Sequence, residues 1–99
     1  VTGVGNDGIH VQSTNGAQIT LNTITAAGNN GIYVNPSSFV TVANNVINLV
    51  GAHGIYMLGG AVNSILNNTI SLVGIDGIHA LDVLGLTITG NSVTGAADD

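Results

Sequence analysis

The chain contains neither lysine nor arginine, and its formal charge of −5 comes from five acidic residues, all of them Asp. A phosphate-bearing partner needs cations to neutralise it, which argues against nucleic acid. An anionic membrane surface is disfavoured on the same ground. Trypsin-like proteases find no cleavage site, which suits exposure outside a cell. Cysteine is absent as well, so disulfides, thiolate chemistry and zinc–thiolate sites are excluded. No run of about 18 apolar residues occurs, so no membrane-inserted segment is expected. Aromatic residues make up 3% and proline occurs once, so the 15 glycines do not belong to a disordered linker. No signal peptide is recognisable. The chain opens at Val1 rather than Met, so a processed product or a piece of a longer chain is expected.

What the chain does have is enough material for one domain and an apolar core: 99 residues, of which 44% are hydrophobic. It also has a period. Gly-Ile-His or Gly-Ile-Tyr recurs at Gly8, Gly31, Gly54 and Gly77, always 23 residues apart. A fixed period of 20–50 residues signals one supersecondary unit stacked on itself. The full repeats are residues 8–30, 31–53, 54–76 and 77–99, with residues 1–7 the tail of a preceding one. Together, 1–99 reads as a single solenoid domain.

Aligned on this period, the repeats form columns. Column two holds Ile9, Ile32, Ile55 and Ile78. Column twelve holds Ile19, Val42, Ile65 and Ile88. Column seventeen holds Val1, Ile24, Ile47, Ile70 and Val93. Around each, apolar residues alternate with period two, as in Ile32-Tyr33-Val34, Thr41-Val42-Ala43 and Val46-Ile47-Asn48-Leu49. Short alternating runs rich in β-branched residues are strands, and no apolar run at helical spacing competes. Three strands per repeat, stacked in parallel about 4.7–4.9 Å apart, predict four coils in a rod about 20 Å long.

Column fifteen is Asn22, Asn45, Asn68 and Asn91. A tight bend strands backbone groups without ladder partners, and buried ones must be satisfied. An amide side chain offers donor and acceptor together, so stacked Asn residues predict a ladder lining that bend. Asn also tolerates left-handed backbone. The neighbouring column begins with Leu21, so the left-handed position is expected in the Asn column itself. Gly columns led by Gly8 and by Gly5, Gly28, Gly51 and Gly74 mark a second tight corner.

These phrases, "NNTISLVGIDGIHAL" and "NTITAAGNNGIYV" among them, resemble the parallel β-helix repeats of the pectin-lyase-like superfamily over the whole chain. The resemblance implies a right-handed single-stranded coil, in line with the usual hand of parallel crossovers. It does not choose an activity, because polysaccharide lyases, hydrolases, epimerases, tailspikes and bacterial surface-adhesin stalks share the architecture. Enzymes of this family build clefts from inserted loops. Here the variable columns five to nine, as in residues 12–16 or 81–85, never change length, which favours a plain rod.

Column three should point outward and carries His10, Tyr33, Tyr56 and His79. The column before each leading glycine carries Asp7, Asn30, His53 and Asp76. Family enzymes hold sugars on this strand's outer face. The resemblance therefore makes His10, Tyr33, His53, Tyr56, Asp76 and His79 the candidate ligand stripe, with Tyr faces stacking sugars while Asp and His bond hydroxyls. Against this stands the plainer reading, an aromatic ladder that holds strands together, each cross-strand pair contributing about 0.2–1 kcal/mol. The plainer reading is preferred. Gly51-Ala52-His53-Gly54 resembles the Gly-His-Gly of polygalacturonases, but Ala52 intervenes, and neither paired aspartates nor a cation for uronate stands at matching positions. Calcium would need several clustered oxygens, whereas Asp7, Asp76 and Asp82 are scattered and Asp98 and Asp99 stand at the end of the chain. No catalytic residue and no cofactor is assigned.

No metal site is assigned either: His10 and His79 lie three coils apart, about 14 Å by strand spacing, while His53 and His79 fall in different columns. The glycosylation pattern Asn67-Asn68-Thr69 is set aside because the Asn turn should be buried.

No polar cap is apparent at either end. Open strand edges invite pairing, so the expected partners are flanking repeats of a longer chain or a second copy stacked end to end. The leading expectation is a non-enzymatic structural or interaction module: a secreted, extracellular or cell-surface stalk, adhesin segment or filament subunit, of bacterial origin. The alternative is a carbohydrate-binding or carbohydrate-active protein that uses the outward stripe and takes a glycan as partner.

Overall fold

The computed structural model describes residues 2–96. Thirteen short strands alternate with tight bends: β1 (Thr2–Val4), β2 (Ile9–Gln12), β3 (Gln18–Thr20), β4 (Thr23–Ala27), β5 (Ile32–Asn35), β6 (Thr41–Ala43), β7 (Val46–Val50), β8 (Ile55–Leu58), β9 (Ser64–Leu66), β10 (Thr69–Val73), β11 (Ile78–Leu81), β12 (Thr87–Thr89) and β13 (Ser92–Ala96). They form three parallel sheets, ordered β1-β4-β7-β10-β13, β2-β5-β8-β11 and β3-β6-β9-β12. Each strand pairs with the strand three elements on. Every residue meets its equivalent one repeat later, as in Ile9↔Ile32, Ile19↔Val42 and Ile24↔Ile47. The variable edge keeps the same register through the bridges Asn15↔Ser38↔Ala61↔Leu84. This is a parallel solenoid with three strands per coil, and no described residue is helical. The stack measures 28 × 23 × 22 Å, nearly as broad as it is tall.

The core follows the apolar columns. Ile32 and Ile55, Val42 and Ile65, and Ile24, Ile47 and Ile70 are fully enclosed, joined by Val34 and Met57 from column four. Burying each such side chain contributes about 1.5–3 kcal/mol. Val1, expected to open column seventeen, lies outside the described residues.

Simple alternation fails in the longest strands. It places Leu49 on the same inward face as Ile47. Instead Leu49 adopts φ 59° and is half exposed, while Val50 turns inward. The same left-handed step occurs at Gly3, Ala26, Leu72 and Gly95, one per coil. It acts as a bulge that shifts the phase of the strand by one residue, so column twenty supplies Ala27, Val50 and Val73 to the core.

The Asn ladder is present, but the left-handed residue is not in it. Positive φ falls on the preceding column: Leu21 57°, Asn44 57°, Asn67 53° and Gly90 70°. The reason lies in what each side chain must do. The Asn amide has to enter the bend, whereas the left-handed residue before it throws its side chain out; Leu21 is 81% exposed. Inside the bend, Asn45 Nδ2 donates to Ile19 O and to Asn68 Oδ1, and the Asn45 backbone N–H donates to that same oxygen. Asn68 repeats the pattern with Val42 O and Asn91 Oδ1, and Asn22 donates upward to Asn45.

The glycine corner is explained by close approach rather than by left-handed backbone, since none of these glycines has positive φ. A Cβ on Gly31 would lie 2.6 Å from Gly54 O and 2.6 Å from Ile47 Cγ2. One on Gly28 would lie 2.6 Å from Gly5 O. No side chain fits where two coils pass this tightly.

Candidate functional site

The third column does project outward, on the sheet formed by β2, β5, β8 and β11. Register places His10 opposite Tyr33, Tyr33 opposite Tyr56, and Tyr56 opposite His79. Tyr33 lies between His10 and Tyr56, with ring centroids 4.8 Å and 5.0 Å away and both planes within 15° of its own. Parallel strands at one-coil spacing bring rings on the same column to stacking distance. Both faces of Tyr33 are therefore covered by protein. One face of Tyr56 meets Tyr33, and its remaining neighbours are His79, edge-on at 5.1 Å, and His53 at 5.0 Å. The spacing that aligns the rings also closes Tyr33 between its two neighbours. The described residues enclose no pocket.

The column before the glycines is a second polar ladder, which sequence reasoning missed. The Asn30 backbone N–H donates to Asp7 Oδ1 at 3.0 Å. The His53 N–H donates to Asn30 Oδ1 at 3.1 Å, and the Asp76 N–H to His53 Nδ1 at 3.3 Å. Each side chain caps the bend of the following coil. Asp, Asn and His look unrelated as letters, yet each can supply the acceptor the bend needs. A third buried amide also escaped notice. Asn63 accepts from the Val40 N–H at 2.8 Å and donates to Ser37 O at 3.0 Å. It stands alone among Ala17, Val40 and Leu86 in its column, so no repetition announced it.

At one point the two outward columns converge. Asp76 Oδ2 lies 2.8 Å from His79 Nδ1 and 3.5 Å from His53 Nδ1. The His53 and His79 rings are 4.6 Å apart. Different columns had argued against this meeting, but Asp76 and His79 are three residues apart along one coil and His53 sits one coil away, beneath Asp76. All three are half-buried. Burial, reinforced by His79, lowers the His53 pKa, opposed by Asp76. His10 stays apart, exposed and bonded to Asn35 Oδ1 at 3.0 Å. Thus Tyr56, His53, Asp76 and His79 form one cluster, while Tyr33 and His10 continue the aromatic column away from it. Asp98 and Asp99 lie outside the described residues.

The glycosylation pattern needs one correction. The side chain that would accept a glycan is Asn67, which is exposed; only Asn68 enters the buried bend. No described helix is long and apolar enough to cross a membrane.

A family model described as a right handed beta helix region matches residues 7–99. No curated protein and no solved structure matches the chain.

Proposed function

The chain belongs to the right-handed β-helix family, and we propose that within it this chain is a structural and interaction module rather than an enzyme. Structural and carbohydrate-related roles are both compatible with this architecture. The observation that favours the first is the outward aromatic column, in which both faces of Tyr33 and one face of Tyr56 are stacked on neighbouring rings. The unvarying register supports the same reading, because no loop is inserted to wall a cleft. In this proposal the chain is a segment of an extracellular stalk, adhesin or fibre on a bacterial surface. It is continued by flanking repeats or by a second copy stacked end to end, since parallel β-coils propagate by adding identical edges.

A glycan array, paired with a viscosity assay on uronic acid polymers, tests the choice. The expected result is neither binding nor loss of viscosity. Glycan binding that disappears in a folded Tyr33→Ala plus Tyr56→Ala variant would overturn the scaffold reading in favour of a carbohydrate-binding one. Native mass spectrometry and filament imaging test self-stacking, which a discrete monomer at all concentrations would exclude.

A further inference from the structure

We propose that His53, Asp76 and His79 form a binding site for a divalent transition metal of the zinc, copper or nickel class. Two imidazoles and one carboxylate suit these ions, whereas calcium requires six to eight oxygens. The donor atoms already lie within 4.8 Å of one another. A tetrahedral site with bonds of about 2.0–2.1 Å separates its donors by about 3.3 Å. The distances from Asp76 Oδ2 to His79 Nδ1 and His53 Nδ1, 2.8 Å and 3.5 Å, bracket that value. On the Asp76 side an ion needs adjustments of well under an ångström, while the two imidazoles, whose donors lie within 4.8 Å, turn closer together to share it. Three protein ligands with water completing the shell is an ordinary open-site arrangement, and His79 borders solvent, with 37% of its side chain exposed.

The frame that holds the donors is rigid. Asp76 O accepts from the Gly54 N–H at 3.0 Å and Gly77 O from the Ile55 N–H at 2.9 Å, and His79 pairs in register with Tyr56. The Asp76 side chain that offers the carboxylate is only 16% exposed. Ligation by His53 Nδ1 replaces the long 3.3 Å bond that this nitrogen accepts from the Asp76 N–H.

Calorimetric titration of the tag-free protein with Zn²⁺, together with electron paramagnetic resonance of the Cu²⁺-loaded protein, tests this. One ion per chain is expected, with superhyperfine coupling from two imidazole nitrogens. His79→Ala should weaken Zn²⁺ binding by more than about tenfold, the loss an outer-shell partner alone can produce. His53→Asn should do the same while keeping a bend-capping acceptor, as Asn30 is in the preceding coil. His10→Ala should leave affinity unchanged. Folding of each variant is checked by circular dichroism, and His79→Ala carries the test if His53→Asn misfolds. Absence of binding to the folded protein, or binding indifferent to His79→Ala, would overturn the proposal.

Discussion

At the level of single residues, repetition of residue type and local backbone preference carry different information. The Asn column announced itself because Asn22, Asn45, Asn68 and Asn91 are identical and the bend they line has one chemical need. The left-handed positions were hidden. Column nine is left-handed in all four coils, through Gly16, Phe39, Val62 and Gly85, and the bulge column includes Leu49 and Leu72. Phe, Val and Leu locally disfavour this backbone by about 1–2 kcal/mol, so only the coil geometry reveals that they adopt it. The strain should be removable. Leu21 adopts φ 57° with its side chain in solvent, and the next two coils place Asn at the same position. Leu21→Asn should raise stability by about 1 kcal/mol, read from the urea midpoint at unchanged slope.

At the level of elements, strands were legible wherever alternation was clean, as in β5 and β8, where inward Ile32, Val34, Ile55 and Met57 flank outward tyrosines. They were less legible in β7 and β10, where the left-handed step at Leu49 and Leu72 reverses the phase. The bends are held by amides rather than by turn sequence, and their weight should depend on depth in the stack. Removing the Asn68 side chain leaves the Asn45 N–H and Asn45 Nδ2 without the oxygen they share, and removes the bonds from Asn68 Nδ2 to Val42 O and Asn91 Oδ1. Asn22 donates only into the rung that Asn45 offers. Asn68→Ala should therefore cost about 3 kcal/mol or more, from at least two orphaned buried groups. Asn22→Ala should cost clearly less, and equal losses in chemical denaturation would contradict the ladder account. The metal-site cluster belongs to this level too. Its two columns read as separate until a bend brought Asp76 Oδ2 to 3.5 Å from His53 Nδ1 and the His53 and His79 rings to 4.6 Å.

At the level of the molecule, each coil touches only its neighbours, so coils should be exchangeable units. Deleting residues 54–76 removes one full period and joins His53 to Gly77, preserving every register. The shortened chain should still melt cooperatively, at a lower temperature, whereas deletion of half a period should abolish the transition. The central functional claim is that the outward aromatic column is closed on itself and serves as scaffold. With two tyrosines and one phenylalanine in the chain, its ring protons can be followed individually. The most direct measurement is the aromatic NMR spectrum of Tyr33 and Tyr56, recorded before and during titration with uronic acid oligosaccharides. The account predicts upfield ring-current shifts already present in the free protein and unmoved by sugar. Unshifted rings that respond saturably to the oligosaccharide would contradict it.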